Sequence, residues 1–270
     1  MNIYWSIALI TFKEGIRNRA LYGISLLALL LLAANQLICS MIMRDVGKVA
    51  VDIALSSISL AGLLIVFFVG INLLAKDLDR KTIYMVLSRP ISRAQYLIGK
   101  YSGIALLLVL SVLILALFAL ASIYLVKGTY PDYFPRFSLA MILISIGFSL
   151  LSLLVLAAVS FFFSTLSSSS FTTLVLTIVT YIIGHSLQEV KSLVEAPGLV
   201  GIKVSATTVG MVRFASYFFP NLTLFDLKAQ AAHALAIPGS YLLWVFLYGI
   251  IYIVVVLFAA CMIFSRRQFA

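Results

Sequence analysis

Charge is what this chain has least of. Of its 270 residues only 10% are Asp, Glu, Lys or Arg, against 63% that are hydrophobic. A soluble domain of this size carries about 25% charged residues, so a soluble enzyme or binding module is excluded and a polytopic membrane protein is expected. The net charge of +10 does not point to nucleic acid. The basic residues stand at the ends of apolar runs, form no continuous stripe, and so report topology.

Other absences narrow the chemistry. Of the two cysteines, Cys39 falls near the far end of the first apolar run and Cys261 near the near end of the last, so they are expected on opposite sides of the bilayer, without a disulfide between them, as small packing residues. His185 and His233 have no Cys or His at ligand spacing, so no metal site is expected. No GxxxxGK[ST] motif occurs, because Gly47-Lys48 and Gly99-Lys100 lack the upstream glycine and the following Ser or Thr. ATP is therefore not bound by that route, and no cofactor is expected on this chain. No acidic or basic residue sits in the middle of an apolar run, and there is no half-chain repeat, which argues against an ion-driven carrier. No HExxH, GxSxG or paired intramembrane aspartates support a membrane hydrolase. The first residues carry Lys and Arg after their apolar part and lack a small-residue cleavage site, so the first span is expected to be its own signal.

What is present is a set of apolar runs long enough to cross about 30 Å of hydrocarbon. The fold class expected is an all-α polytopic membrane protein, one transmembrane domain over 1–270 with six spans at 21–43, 53–75, 102–126, 138–163, 171–187 and 241–264. Residues 2–19 begin apolar and end basic, with Tyr4 and Trp5 suited to headgroup depth. They fit an amphipathic elbow helix in the inner interface, the alternative being an extension of the first span. Ser56, Ser59, Gly62 and Gly70 give the second span small residues for close packing. Thr173, Thr177 and Thr180 recur at helical spacing in the fifth span. Such a stripe either packs on a neighbour or lines a conduit, and composition favours packing.

Residues 188–239 form a long outer excursion. Its first part is broken by Pro197 and Gly198 and reads as an exposed loop or short helix. Two short apolar helices, at 207–219 and 222–236, are then hinged at Pro220 and Asn221. Each is too short to span, so they are expected to be re-entrant or to lie on the outer leaflet, the alternative being a plain surface loop. The Asn221-Leu222-Thr223 sequon recurs by chance too often to carry weight. With six spans, the side bearing both termini holds eleven Lys/Arg and three Asp/Glu, and the opposite side eight and six. This bias makes both termini cytoplasmic.

The long charged interruption at 76–101 has more internal order than topology requires. It carries six Lys/Arg against Asp77 and Asp79. Residues 82–87 suit a short helix, and Pro90 disfavours helix at Arg89. Ser92 as N-cap with Gln95 three residues on is a capping-box pattern, flanked by Ile91 and Tyr96 as a hydrophobic staple. A helix is therefore expected to restart at Arg93 and run into the third span.

These residues resemble the permease subunits of the type-2 ABC exporter family. The pattern is an acidic and a basic residue before Thr, here Asp79, Arg80, Lys81 and Thr82, where the family commonly has glycine at the place of Lys81. It continues with Leu87-Ser88-Arg89-Pro90-Ile91-Ser92-Arg93 and Gly99-Lys100-Tyr101. The elbow, six spans, re-entrant helices and closing run from Phe264 to Phe269 extend the resemblance over nearly the whole chain. The run from Pro220 to Leu227 is most similar to permeases of nitrous-oxide-reductase maturation systems.

The resemblance implies a function. Residues 76–101 would be the cytoplasmic coupling loop, with Arg80, Lys81, Arg89 and Arg93 pairing with acids on an ABC ATPase. Ile83, Val86 and Leu87 would fill that partner's groove around the break at Pro90. Two ATPase subunits would supply the ATP and Mg sites, and a second permease copy would complete a homodimer in a bacterial or archaeal inner membrane. Thr173, Thr177 and Thr180 would line the path, against the reading from composition, and Phe214, Phe218, Phe219 and Phe225 would form an outer gate. A non-transporting anchor that relays ATPase motion to a periplasmic or other outer partner needs the same loop. An ATP-independent channel does not.

Overall fold

The computed structural model describes residues 3–42, 44–73, 92–134, 137–167, 169–195 and 206–266. Arg80, Lys81, Ile83, Val86, Leu87, Arg89 and Pro90 lie outside the described residues. Among the described residues all regular structure is helical. Six helices are long and apolar enough to cross a membrane: α2 (Arg19–Met41), α3 (Val46–Leu73), α4 (Arg93–Thr129), α5 (Leu139–Leu166), α6 (Ser170–Glu195) and α9 (Gly239–Arg266). The shorter helices are α1 (Ile3–Ile16), α7 (Ala206–Phe218) and α8 (Lys228–Ala232).

The spans alternate in direction. Asn35 near the far end of α2 bonds α3 at Ala50 and α4 at Ser122, while Arg93 at the start of α4 reaches the end of α9. One end, here called the base, therefore holds the start of α2, α4 and α6. The other is the distal end. Cys39 is distal and Cys261 lies toward the base, both as free thiols. A separate α1 packs along α4 and is divided from α2 at Arg17 and Asn18. The Asn18 side chain accepts from the Ala20 N–H at 2.9 Å, starting α2 afresh.

Three boundaries differ from expectation. The second span begins at Val46 rather than at 53, because Val46, Ala50, Val51 and Ala54 are all buried on one helix face while Asp52 stays exposed. Asp45, the residue just before it, adopts φ 56°. There the Lys48 ammonium, 2.8 Å away, holds the Asp45 carboxyl below the usual carboxylate range. The fifth span continues to Glu195, well past 187, so His185 stands about midway along its helix. The helix expected at 222–236 breaks into a 3₁₀ turn, Leu222–Phe225, and the five-residue α8. Asp226 is extended at the break, and its Oδ1 accepts from the Lys228 N–H at 3.2 Å, a local bond that competes with helix.

Two features inside the spans position the rest. The carboxamide of Asn35, fully buried, donates to Ala50 O at 3.2 Å and Ser122 Oγ at 3.1 Å, and Ser122 donates in turn to Leu32 O. This joins α2, α3 and α4. Asn35→Ala is expected to lower stability by about 1–2 kcal/mol, given what buried hydrogen bonds contribute in membranes, read as an earlier midpoint in detergent-driven unfolding. In α3, residues Ile65–Gly70 form a π turn, with the Ile71 N–H bonding Val66 O. Such turns insert a residue into a helix and re-aim the face that follows. Phe67 in this turn meets Tyr181 of α6 edge to face, their ring centroids 6.2 Å apart.

Candidate coupling site

The start of α4 collects contacts from three other elements. Ser92 and Gln95 form the expected capping box, with Ser92 Oγ accepting from the Gln95 N–H at 3.2 Å and Gln95 Oε1 accepting from the Ser92 N–H at 3.0 Å. The proposed staple partner Ile91 lies outside the described residues. One residue on, Arg93 Nη1 donates to Phe264 O at 3.3 Å and Ser265 O at 3.2 Å, in the last described turn of α9. Tyr96 stacks on Phe264 with an interplanar angle of 16°. Arg93 was expected to face a partner's acids, and the structure gives it an anchoring contact within the chain. A guanidinium has five N–H donors, so the two roles are compatible.

The Gly99-Lys100-Tyr101 motif acquires a physical reason at each position. Glycine is needed at 99 because a Cβ there would lie 2.9 Å from Ile7 Cβ on α1. A Cβ at Gly103, one turn on, would lie 2.6 Å from Ala8 O. These two positions let α1 lie directly on α4. Lys100 is only 5% exposed. Its Nζ donates to Leu73 O at 3.0 Å, the last described carbonyl before residues 74–91, and stands 3.5 Å from Glu14 Oε2 on α1. Because the Glu14 side chain is 42% exposed, solvent screens the ion pair and the carbonyl bond is the firmer tie. Tyr101 donates to Leu154 O at 3.1 Å and meets Phe161 edge to face, fixing α4 to α5. The two ends of the charged stretch are thus joined to each other by Lys100, to α1 by Glu14 and to α9 by Arg93.

The expected path residues are drawn together on one face of α6. Thr173, Thr177 and Thr180 are each at most 2% exposed, with hydroxyls donating to Ser169 O, Thr173 O and Leu176 O of their own helix. The helix packs on α5 and on the π turn of α3, so within one chain this row is closed off. The four expected gate residues are not brought into one cluster. Phe214 and Phe218 are exposed, Phe218 and Phe219 pair at 5.4 Å, and Phe225 is buried against Tyr248 of α9. Among the described residues, no three His, Cys, Asp or Glu side chains gather in a group that could hold a metal ion.

Sequence reasoning passed over Glu14, Asn35 and the π turn, whose roles depend on distant partners. It also passed over Tyr241, Tyr248 and Tyr252, although their spacing of seven and four residues places them on one face of α9 and was readable.

The model of the family described as ABC-2 family transporter protein matches residues 5–269 of the chain. The chain is 32% identical over 133 residues to a protein of Stutzerimonas stutzeri named probable ABC transporter permease protein NosY, covering 47% of this chain and 48% of that one. It is likewise 32% identical over 118 residues to the protein of the same name from Pseudomonas aeruginosa, covering 42% and 43%. The chain spans about half the length of the curated relatives it matches.

Proposed function

The chain belongs to the ABC-2 family of transporter proteins, and on that basis we propose that it is the permease subunit of an ATP-driven exporter of the inner membrane. Two separate ATPase subunits, carrying the ATP and Mg sites, dock on residues 76–93. Arg80, Lys81, Arg89 and Arg93 pair with their acids, and Ile83, Val86 and Leu87 fill their groove. A second copy of the chain completes the transporter. The large part of α2, α6 and α9 left uncovered within one chain supports this assembly.

The observation that carries the reading is the joining of both ends of the charged stretch by Lys100. A push on residues 76–93 reaches α3 through Leu73, α1 through Glu14 and α9 through Arg93. Separation of α6 from α5 then uncovers Thr173, Thr177 and Thr180 as the path lining, and the aromatic residues around Phe218 and Phe219 close it on the outside. A second reading, relay of ATPase motion to an outer partner without a solute, is favoured by the bonds that link α9 to the outer segment. The test is reconstitution of permease and ATPase in liposomes with candidate solutes. ATP-dependent solute movement is expected, and ATP-dependent change in an outer partner with no solute movement favours the relay.

A further inference from the structure

None of the six spans carries an Asp, Glu, Lys or Arg at its centre, yet the fold brings an Asp and a Lys to that depth. The outer segment after Pro220 turns back into the bundle, where Phe225 is buried beside Gly249 of α9, ten residues from that helix's start. At 1.5 Å per residue this is about 15 Å along the helix, roughly half the hydrocarbon thickness. A cavity of about 40 Å³ opens there. Its polar lining includes Ser59 of α3, Ser149 and Ser152 of α5, Tyr181 and His185 of α6, and the pair Asp226 and Lys228, whose Oδ2 and Nζ are 3.4 Å apart. The serines and His185 all stand near the middle of their helices. Ionisable groups at such depth are costly without water or partners and mark functional sites, and the volume suits one or two water molecules.

The segment that covers the cavity is held by a row of phenols. Tyr252 donates to Phe218 O at 3.3 Å, Tyr248 Oη accepts from the Asn221 N–H at 3.0 Å, and Tyr241 donates to Leu224 O at 3.2 Å. Thr223 adds a bond to His185 O at 2.8 Å. All three tyrosines lie on α9, the helix whose other end is bonded by Arg93.

We propose that this cavity is a hydrated polar site within each protomer, holding water against Asp226 and Lys228, and that residues 218–228 are its cover, latched to α9 by Tyr241, Tyr248 and Tyr252. It gives water and solutes of similar size a polar foothold halfway across an otherwise apolar bundle. The position of α9 sets whether the cover is held.

Hydroxyl-radical footprinting of the full chain in lipid nanodiscs tests this without any partner. Phe225 and Phe161 are equally buried, each 1% exposed, but Phe225 borders the cavity and Phe161 does not. Phe225 is expected to oxidise at least about fivefold faster, since water held beside a side chain generates the radical locally. Equal rates overturn the hydrated site. In the triple variant Tyr241→Phe, Tyr248→Phe, Tyr252→Phe the Phe225 rate rises further while that of Phe161 is unchanged, and an unchanged Phe225 rate overturns the latch. If the triple variant does not fold, Tyr248→Phe alone serves. Amide exchange at Asn221 then accelerates if the phenol holds the segment, and stays at the parent rate if it does not.

Discussion

Replacing Lys100 by glutamate is expected to destabilise the protein by about 3–5 kcal/mol, the range for a buried charge left without a partner, and to leave little folded material in the membrane. Lys100 is only 5% exposed and its ammonium bonds Leu73 O, so a carboxylate in its place would meet a carbonyl oxygen and the like charge of Glu14. Lys100→Met separates this structural effect from function. Methionine approximates the length and fills the space, and the Glu14 carboxylate it leaves behind is partly exposed to solvent, so the main cost is the lost bond to Leu73 O, about 1–3 kcal/mol. The methionine variant is therefore expected to fold, with a lower melting temperature than the parent, and to lose the tie between the two ends of the charged stretch. The proposed ATPase partner should bind but hydrolyse ATP without the coupled response, measured as solute or partner movement per ATP. A methionine variant that remains fully coupled would remove Lys100 from the transmission route.

The parts of this site legible in the sequence were the local ones. Ser92 and Gln95 lie three residues apart, so their capping box could be read from the chain alone, as could six apolar runs of sufficient length. Charge was a poorer guide to boundaries. Residues 44–52 look like a neutral loop because two positive and two negative residues balance, but Asp52 projects from the exposed side of a helix whose other side is buried. Helical spacing of Val46, Ala50 and Ala54 was the better signal. The segment 222–236 misled in the opposite direction, since its composition suits a helix while the Asp226 side chain bonds its own backbone and breaks it. Gly99-Lys100-Tyr101 was visible as a motif, but its reasons were not. Leu73 is 27 residues from Lys100, Glu14 is on the first helix, and Phe264 is 171 residues from Arg93. Such pairings follow from packing, which no local pattern encodes. The charges at mid-depth were hidden for the same reason, being carried there by a loop rather than by a span.

The second large effect concerns the proposed docking surface. Leu87 is expected to anchor the ATPase through buried apolar area, and Arg93 to do so through charge while holding α9 by two carbonyl bonds. Interface anchors of this kind typically contribute 2 kcal/mol or more when truncated, roughly thirtyfold in affinity. Under the proposed function, reversing the charge at Arg93 would also repel the acids of the ATPase, and it removes the two Arg93 bonds to the base end of α9. The double variant Leu87→Ala, Arg93→Glu should therefore lose both binding and coupled hydrolysis while its six spans remain assembled. The most direct test of transmission through residues 76–101 is the affinity of the co-purified ATPase for nanodiscs carrying the parent chain or this double variant. A loss of at least about tenfold, or about 1.4 kcal/mol, together with loss of coupled hydrolysis, is predicted. Unchanged affinity and unchanged coupled hydrolysis would contradict it.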